Sequence, residues 1–163
     1  MRLVPITFDG YASGQTDFGT VYQAQTPEIE TAREQLLGVV ERIADSIIQA
    51  DENRAATSII VVGHSDRQDL SSMNCDQRRS SEIAAARDRA VSAWEFVKQA
   101  VTERLAAANP PIEAGDWWET APAVTWGLVY AAAGMLRHDP PADETQRRQY
   151  RRVVMLVTMI TFD

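Results

Sequence analysis

The residues best placed to do chemistry are His64, Ser65 and Asp66. They follow directly after an apolar run that ends in Gly63. Polar residues that follow such a strand stand at its carboxyl end, where open α/β sheets commonly bind ligands. There the Asp66 carboxylate could accept hydrogen bonds from a cationic ligand. With an arginine nearby to bind a ligand carboxylate, the site could hold a zwitterion. The alternative is a turn, in which Asp66 caps backbone amides.

The same residues admit a metal interpretation. His64 and His138 could bind zinc with Asp66 or Cys75, provided that distant loops converge. Histidines without helical or knuckle spacing are more typical of polar loops, however. The sequence has no Gly-x-Ser-x-Gly elbow and no Gly-rich phosphate loop, and no nucleophile, base and orienting group occur together. We therefore predict a protein that is not an enzyme and needs neither metal nor cofactor.

Two other groups leave a structural and a binding interpretation open. The first is a basic cluster in an acidic chain, made of Arg147, Arg148, Arg151 and Arg152. Charge balance against nearby acids is the interpretation we favour; the alternative is a docking point for a carboxylate-rich ligand, with Arg151 as a binding residue. The second is the adjacent pair 117–118, two tryptophans that either cover an edge of the core or anchor a partner or a sugar ring.

The composition is that of an ordinary globular protein. The 163 residues carry a formal net charge of −7 and are 45% hydrophobic and 24% charged, which fits one domain with a core of its own. An acidic chain repels nucleic acid and anionic lipid at long range, so neither is an expected partner. Cys75 is the single cysteine, and no internal disulfide can form.

No segment of the sequence predicts membrane insertion or export. The longest apolar run falls far short of the ~20 residues that a membrane-spanning helix needs. Residues 1–9 contain one base and one acid without the apolar stretch of a signal peptide. We therefore expect the chain to be cytoplasmic as synthesised.

Apolar periodicity and turn residues predict the elements that position these side chains. We expect strands at 3–8, 58–62, 124–133 and 151–162, helices at 26–50 and 82–108, and loops at 11–25, 69–81 and 139–141. The β-branched run at 58–62 predicts a strand buried on both faces. The order β-α-β-α-β-β predicts an α/β fold, a two-layer sandwich in which a mixed sheet carries both helices on one face.

Three motifs occur in order on these elements. Residues 63–66, Gly-His-Ser-Asp after an apolar run, resemble the Gly-His-Thr-Asp motif of the OmpA C-terminal-like domains, the group that includes Pal and MotB. Residues 89–97 are similar to the latter part of that family's helix motif, and residues 150–153, Tyr-Arg-Arg-Val, to its Asn-Arg-Arg-Val. The resemblance implies a single domain over 1–163 with insertions around 67–81 and 110–123.

The resemblance also implies a site for the diaminopimelate of peptidoglycan peptides. In the family, the aspartate of the first motif and the helix arginine hold this residue, and those roles fall here to Asp66 and Arg89, with Ser65 adding a hydroxyl. Diaminopimelate ends in an ammonium beside a carboxylate, which a carboxylate and a guanidinium facing each other can bind. We expect the two side chains to face each other across a groove and to be partly exposed.

Arg87 is the alternative to Arg89 as the site arginine. Aligning Arg87 with the family's arginine puts Ile83 at a leucine position, but it also puts Asp88 and Glu95 at buried positions. Burying two unpaired carboxylates costs far more than replacing a leucine by alanine, so the sequence favours Arg89.

Two functions follow from the resemblance. The first is a noncatalytic peptidoglycan-binding module that recognises the stem peptide and acts at the cell wall after delivery by an assembly, such as a phage tail or a contractile injection particle. The second is a structural interaction subunit of a larger assembly that keeps the fold without binding peptidoglycan. Glu82 and Tyr150 stand where the family has asparagines, which favours the second. Both functions imply protein partners.

Overall fold

The computed structural model describes residues 2–49, 55–66, 72–113, 115–132 and 143–161. Its elements are β1 (Arg2–Phe8), α1 (Phe18–Tyr22), α2 (Pro27–Ile48), β2 (Ala55–Ser65), α3 (Cys75–Ala106), α4 (Trp117–Thr120), β3 (Val124–Ala132), α5 (Glu144–Tyr150) and β4 (Val153–Thr161). The strands and the two long helices follow the predicted order, and short helices are added to it. The loop predicted at 139–141 lies outside the described residues.

The four strands form one mixed sheet in the order β1-β4-β2-β3. β4 runs antiparallel to both β1 and β2, whereas β3 pairs in parallel with β2. The last strand of the chain therefore lies between the first two. The helices α2 and α3 pack on one face of this sheet around a single hydrophobic core, which confirms the predicted two-layer sandwich.

The core-facing residues of the central strands alternate as a period of two requires. Val153, Met155 and Val157 of β4 are fully buried, and so are Ile59 and Val61 of β2. Opposite them, the buried positions of α2 and α3 recur at three- and four-residue spacing. The apolar patterns of the sequence thus identify the core face of each central element.

The prediction that β2 is buried on both faces is wrong. Ile59 and Val61 are fully buried, but Ile60 between them keeps 38% of its surface exposed, and Val62 is half-buried. A run without polar alternation is typical of strands covered on both sides. Here α2 and α3 lie on the same side of the sheet, so in the described part of the chain the other face has no helical layer.

The helix α3 begins earlier than predicted, inside the supposed loop at 69–81. Asn74 and Gln77 form a capping box: the Asn74 side chain accepts a hydrogen bond from the Gln77 backbone N–H at 2.9 Å, and the Gln77 side chain accepts from the Asn74 N–H at 3.1 Å. The first helical turns are polar because they are mostly exposed. Residues 67–71 lie outside the described residues.

The segment 11–25 is not a plain loop either, because it contains α1. The Asp17 carboxylate accepts a hydrogen bond from Thr20 N–H at 2.8 Å and caps this short helix. Phe18 is fully buried, with its ring centroid 5.1 Å from that of Phe96 on α3. An aromatic contact over a long sequence separation therefore orders a segment whose composition predicts a loop.

The tryptophan pair covers an edge of the core, which confirms the structural interpretation. Trp117 is buried; its ring centroid lies 6.1 Å from that of Trp94, and its Nε1 donates to Thr102 Oγ1 at 3.2 Å. Trp118 is half-buried, and Lys98 Nζ lies 4.5 Å from its ring centroid.

Gly63 allows β2 and α3 to touch backbone to backbone. A Cβ at this position would overlap the carbonyl oxygen of Ala86 and would lie 2.9 Å from the backbone nitrogen of Ala90. Only glycine permits this approach. The contact brings the carboxyl end of β2 against the middle of α3. Asp66 follows that end of β2, and Arg89 lies on that part of α3.

Candidate functional site

The predicted polar residues lie at the carboxyl end of β2. Ser65 is the last residue of the strand and Asp66 follows directly; both are buried, with 1% and 5% of their surface exposed. Asp66 Oδ2 accepts a hydrogen bond from Arg151 Nη2 at 2.9 Å, and Arg147 Nη1 lies 3.5 Å from the same oxygen. Asp66 is therefore the acceptor of a buried ion pair, and the expectation that it is partly exposed is wrong.

Arg151 is the centre of this ion-pair cluster. Besides Asp66, it donates through Nη1 to Glu144 Oε1 at 2.7 Å and to the backbone carbonyl of Tyr11 at 3.4 Å. Burial by itself would lower the pKa of Arg151, but the hydrogen bonds to Asp66 and Glu144 outweigh it and leave that pKa raised. The Arg151 guanidinium is therefore fully charged and held by two carboxylates.

The helix α5, which was not predicted from the sequence, carries Glu144, the partner of Arg151, and Arg147, the second arginine beside Asp66. The side chain of Asp143 caps the helix by accepting from Gln146 N–H at 2.8 Å. Glu144, Arg147 and Arg151 then recur at three- and four-residue spacing, which is the signal that identifies one helical face. The hydrogen bond from Arg151 lowers the pKa of Glu144, so this carboxyl is ionised at neutral pH.

Three of the four arginines of the basic cluster follow the charge-balance interpretation, whereas Arg152 Nε is buried and has no hydrogen-bond partner among the described residues. Arg147 and Arg151 pair with Asp66, and Arg148 Nε lies 3.6 Å from Glu144 Oε1. The alternative role of Arg151, binding a carboxylate ligand, stays a prediction.

Arg89 lies on the buried side of α3, with 2% of its surface exposed. Its Nη1 donates to the His64 carbonyl at 2.8 Å, its Nε donates to the Gln15 carbonyl at 3.0 Å, and its guanidinium carbon lies 5.2 Å from the Tyr11 ring centroid. Burial lowers the pKa of Arg89, and the nearby charge of Asp66 offsets part of that shift. Arg89 and Asp66 are therefore electrostatic neighbours, although the hydrogen bonds of Arg89 go to backbone carbonyls.

Arg87, the alternative arginine, lies on the solvent side of α3. Its Nη2 lies 2.8 Å from Asp88 Oδ1, and both side chains are about half exposed. The helix register that buries Arg89 also leaves Asp88 in water, as the sequence argument requires. Which arginine would contact a ligand stays a prediction.

Two buried hydroxyl groups beside these charges have no hydrogen-bond partner among the described residues. One is Ser65 Oγ, next to Asp66, and the other is the phenol of Tyr11, below the Arg89 guanidinium. Burial raises the pKa of Tyr11 far above its ordinary value, so the phenol keeps its proton. Neither Tyr11 nor Gln15 could be recognised from sequence, because both lie in a segment that predicts a loop.

The cluster combines three guanidinium groups with two carboxylates, those of Arg89, Arg147, Arg151, Asp66 and Glu144. It can hold a carboxylate through its excess positive charge and an ammonium through Asp66. Since Oδ2 of Asp66 is engaged by Arg151, an incoming ammonium has to displace that guanidinium or use the other oxygen. A pocket of about 570 Å³ adjoins the cluster at Glu144 and is also lined by Asp9, Glu28 and Arg148.

The described residues contain no group of three or more side chains placed to bind a metal ion. His138, one of the two histidines considered for zinc, lies outside the described residues. His64 is half-buried, and burial together with the charge of Arg152 lowers its pKa. Across the residues that the structure describes, no helix is both long enough and apolar enough to span a membrane.

Comparison with solved structures finds similar chains over most of this sequence. The periplasmic domain of Helicobacter pylori MotB is 18% identical, with 96% of this chain and 81% of that chain covered and a TM-score of 0.40. The cell wall anchor of the type VI secretion system from Pseudomonas aeruginosa is 17% identical, with 99% and 82% covered and a TM-score of 0.36.

A MotB-like protein from Desulfovibrio vulgaris is 14% identical, with 95% of this chain and 74% of that chain covered and a TM-score of 0.42. Against another periplasmic domain of MotB, 19% identical with a TM-score of 0.35, the chain spans 53% of that structure. No protein-family model matches the chain, and neither does any curated protein. The fold itself is a four-stranded mixed sheet with helices packed on one face.

Proposed function

We propose that this protein is a noncatalytic module that binds the diaminopimelate-containing stem peptide of peptidoglycan. The observation that carries the proposal is the placement of a carboxylate and a guanidinium at one end of β2. Asp66 follows the strand, and Arg89 binds the carbonyl of His64, two residues before Asp66, at 2.8 Å. A side chain that ends in an ammonium beside a carboxylate matches this pair of charges.

In this proposal Asp66 accepts from the ligand ammonium, and Arg89 donates to the ligand carboxylate. Ser65, whose buried hydroxyl has no partner among the described residues, adds a hydrogen bond. Arg151 holds Asp66 at 2.9 Å in the free protein and yields part of that contact to the ammonium. Glu144 keeps Arg151 charged and paired after this exchange.

Retention on insoluble peptidoglycan tests the proposal. We expect the protein to sediment with peptidoglycan of the meso-diaminopimelate type and not with the lysine type, because lysine lacks the second carboxylate. Arg89→Ala should abolish most of this retention, at a cost of about 1.5–3 kcal/mol for a lost charged hydrogen bond. Arg87→Ala is the matched control, since Arg87 lies on the same helix but is paired with Asp88 in solvent.

Circular dichroism of each variant separates loss of binding from loss of folding. A folded Arg89→Ala protein that is retained as well as the unmutated chain would contradict the proposal, as would equal retention on both types of peptidoglycan.

A structural subunit without ligand is the second candidate, and the burial of the site favours it. Asp66 and Arg89 are almost wholly buried, and Asp66 already has arginine partners. In this case the cluster fastens α5 to the end of β2, and its charges serve the fold. Absence of retention on either peptidoglycan by a well-folded protein would favour this candidate.

Delivery to a cell wall by a phage tail or a contractile injection particle belongs to the same proposal. Such particles are sedimented intact, so co-sedimentation of the chain with them from the producing cells tests the assembly. A chain found entirely in the supernatant would contradict it.

A further inference from the structure

The face of the sheet turned away from α2 and α3 carries a continuous apolar patch. Two neighbouring rows cross the strands: Pro5, Leu156 and Ile60 form one, and Val154, Val62 and Val129 form the next, each set paired across adjacent strands. We call this set the outer patch. Ile60 and Val129 have 38% and 47% of their surface exposed, and the other members are exposed or half-buried.

A sheet face in contact with water normally carries polar side chains that alternate with the core residues. The outer patch departs from this rule in the centre of the sheet, where β4 is paired along its whole length with residues 55–63 of β2. Exposed apolar patches of this kind mark interaction surfaces. The apolar run of β2, which predicts a strand buried on both faces, is therefore explained if a second layer covers this face.

Gly127 leaves a depression in the same face. It pairs with Ile60 in the β2–β3 register, and a Cβ added to it would have no atom within 4 Å. An aliphatic side chain from a covering layer could enter this space beside Ile60, as side chains do between packed sheets.

The charge distribution indicates which kind of partner fits. The described outward positions of β2, β3 and β4 hold no aspartate, glutamate, lysine or arginine, although the chain has a net charge of −7. A charged partner would find nothing to pair with on this face. Two copies of the chain, by contrast, can meet there without bringing like charges together, and a two-fold axis makes such a face complementary to itself.

The size of the face is sufficient for a dimer. Four strands about 4.8 Å apart and about nine residues long, at about 3.3 Å per residue, give a flat area of roughly 570 Å². The accessible area of a surface covered by side chains exceeds its flat area. Stable interfaces begin at about 600 Å² per partner, so the outer face reaches the required size.

We infer that the protein forms a homodimer in which the outer patches of two copies pack face to face. The two sheets form an aligned sandwich about 10 Å apart, with the helices on the outside. This arrangement leaves the Asp66 and Arg89 cluster free, because those side chains lie at the end of the sheet and towards α3. The inference is thus independent of whether peptidoglycan binds.

Light scattering coupled to size exclusion, with the full chain at about 100 µM, tests the dimer. We expect a mass twice the 18.1 kDa of one chain. Ile60→Glu should weaken self-association at least about tenfold, because it buries two carboxylates in the interface. Ile48→Glu is the matched control: Ile48 is also 38% exposed, but it lies on α2, and its variant should remain dimeric.

A second pair of variants keeps the test valid if Ile60→Glu fails to fold. The variant is Val129→Glu, on the edge strand β3. Its control is Leu37→Glu on α2, which adds the same charge at a residue of nearly the same exposure. A chain that is monomeric at all concentrations would contradict the inference. That result is expected if another segment of the same chain covers the outer patch. Dimers that are unaffected by Ile60→Glu or Val129→Glu would indicate another interface. If Leu37→Glu or Ile48→Glu weakened self-association as much as the sheet variants do, the effect would come from net charge. Either result overturns the inference.

Discussion

Arg151 joins separate parts of the chain through one buried guanidinium. It contacts Asp66 at the end of β2, Glu144 at the start of α5 and the carbonyl of Tyr11 after β1. Each partner is far from Arg151 in sequence except Glu144. Removing Arg151 would leave the buried carboxylate of Asp66 without its main partner, which lowers the free energy of unfolding whichever function the cluster serves.

Arg151→Ala should therefore destabilise the protein by about 3–5 kcal/mol, because it leaves the Asp66 carboxylate buried without its principal partner. Arg148→Ala is the control, since Arg148 is exposed and its contact to Glu144 is long at 3.6 Å; it should change stability by less than about 0.5 kcal/mol. Urea denaturation followed by tryptophan fluorescence gives both values. Equal effects of the two substitutions would contradict the assigned role of Arg151.

At the scale of elements, the contact between β2 and α3 determines where the site residues lie. The two backbones approach at Gly63, opposite Ala86 and Ala90. Because the approach leaves no space for a side chain, any residue larger than glycine has to separate the strand from the helix.

Gly63→Ala is expected to cost about 3 kcal/mol or more, since the added methyl meets backbone atoms that cannot rotate away. Gly38→Ala on α2 is the contrasting substitution: a Cβ there meets nothing within 4 Å, and alanine should stabilise the helix by about 0.5–1 kcal/mol. Thermal melts of the two variants should move in opposite directions. A Gly63→Ala protein as stable as the unmutated chain would mean that β2 and α3 are farther apart than described.

At the scale of the whole molecule, β4 holds the sheet together. It is the last strand in sequence but pairs with both β1 and β2. Residues from the two ends of the chain therefore complete the core together, and the sheet cannot form from the first part of the chain alone.

Truncation after Arg152 removes β4 and should abolish cooperative folding. β1 would lose its only partner within the described sheet, and the buried residues Val153, Met155 and Val157 would leave the core. The expected result is an insoluble protein, or one without a cooperative melt by circular dichroism. A truncated chain with an unchanged melt would be incompatible with this strand order.

The sequence predicts elements well where a local pattern decides them. Thr26 and Pro27 mark the start of α2, and the apolar period of β4 identifies its buried face. It fails for α1 and α5, which are short helices with weak periodicity. Phe18 is ordered by Phe96, and α5 by the pairing of Arg147 with Asp66. Neither contact can be predicted from a local pattern, because each joins residues that are far apart in sequence.

The sequence by itself determined the order of strands and long helices, the motif at the end of β2 and the helix register that leaves Arg87 and Asp88 on the solvent side of α3, because these depend on spacing along one element. Only the tertiary structure decided that Asp66 pairs with Arg151, 85 residues away, and that Arg89 reaches the carbonyl of Gln15, 74 residues away. It also decided that β2 keeps one face open. Such features depend on which elements become neighbours, and hence on the free energy of the whole packed chain, which no local pattern contains.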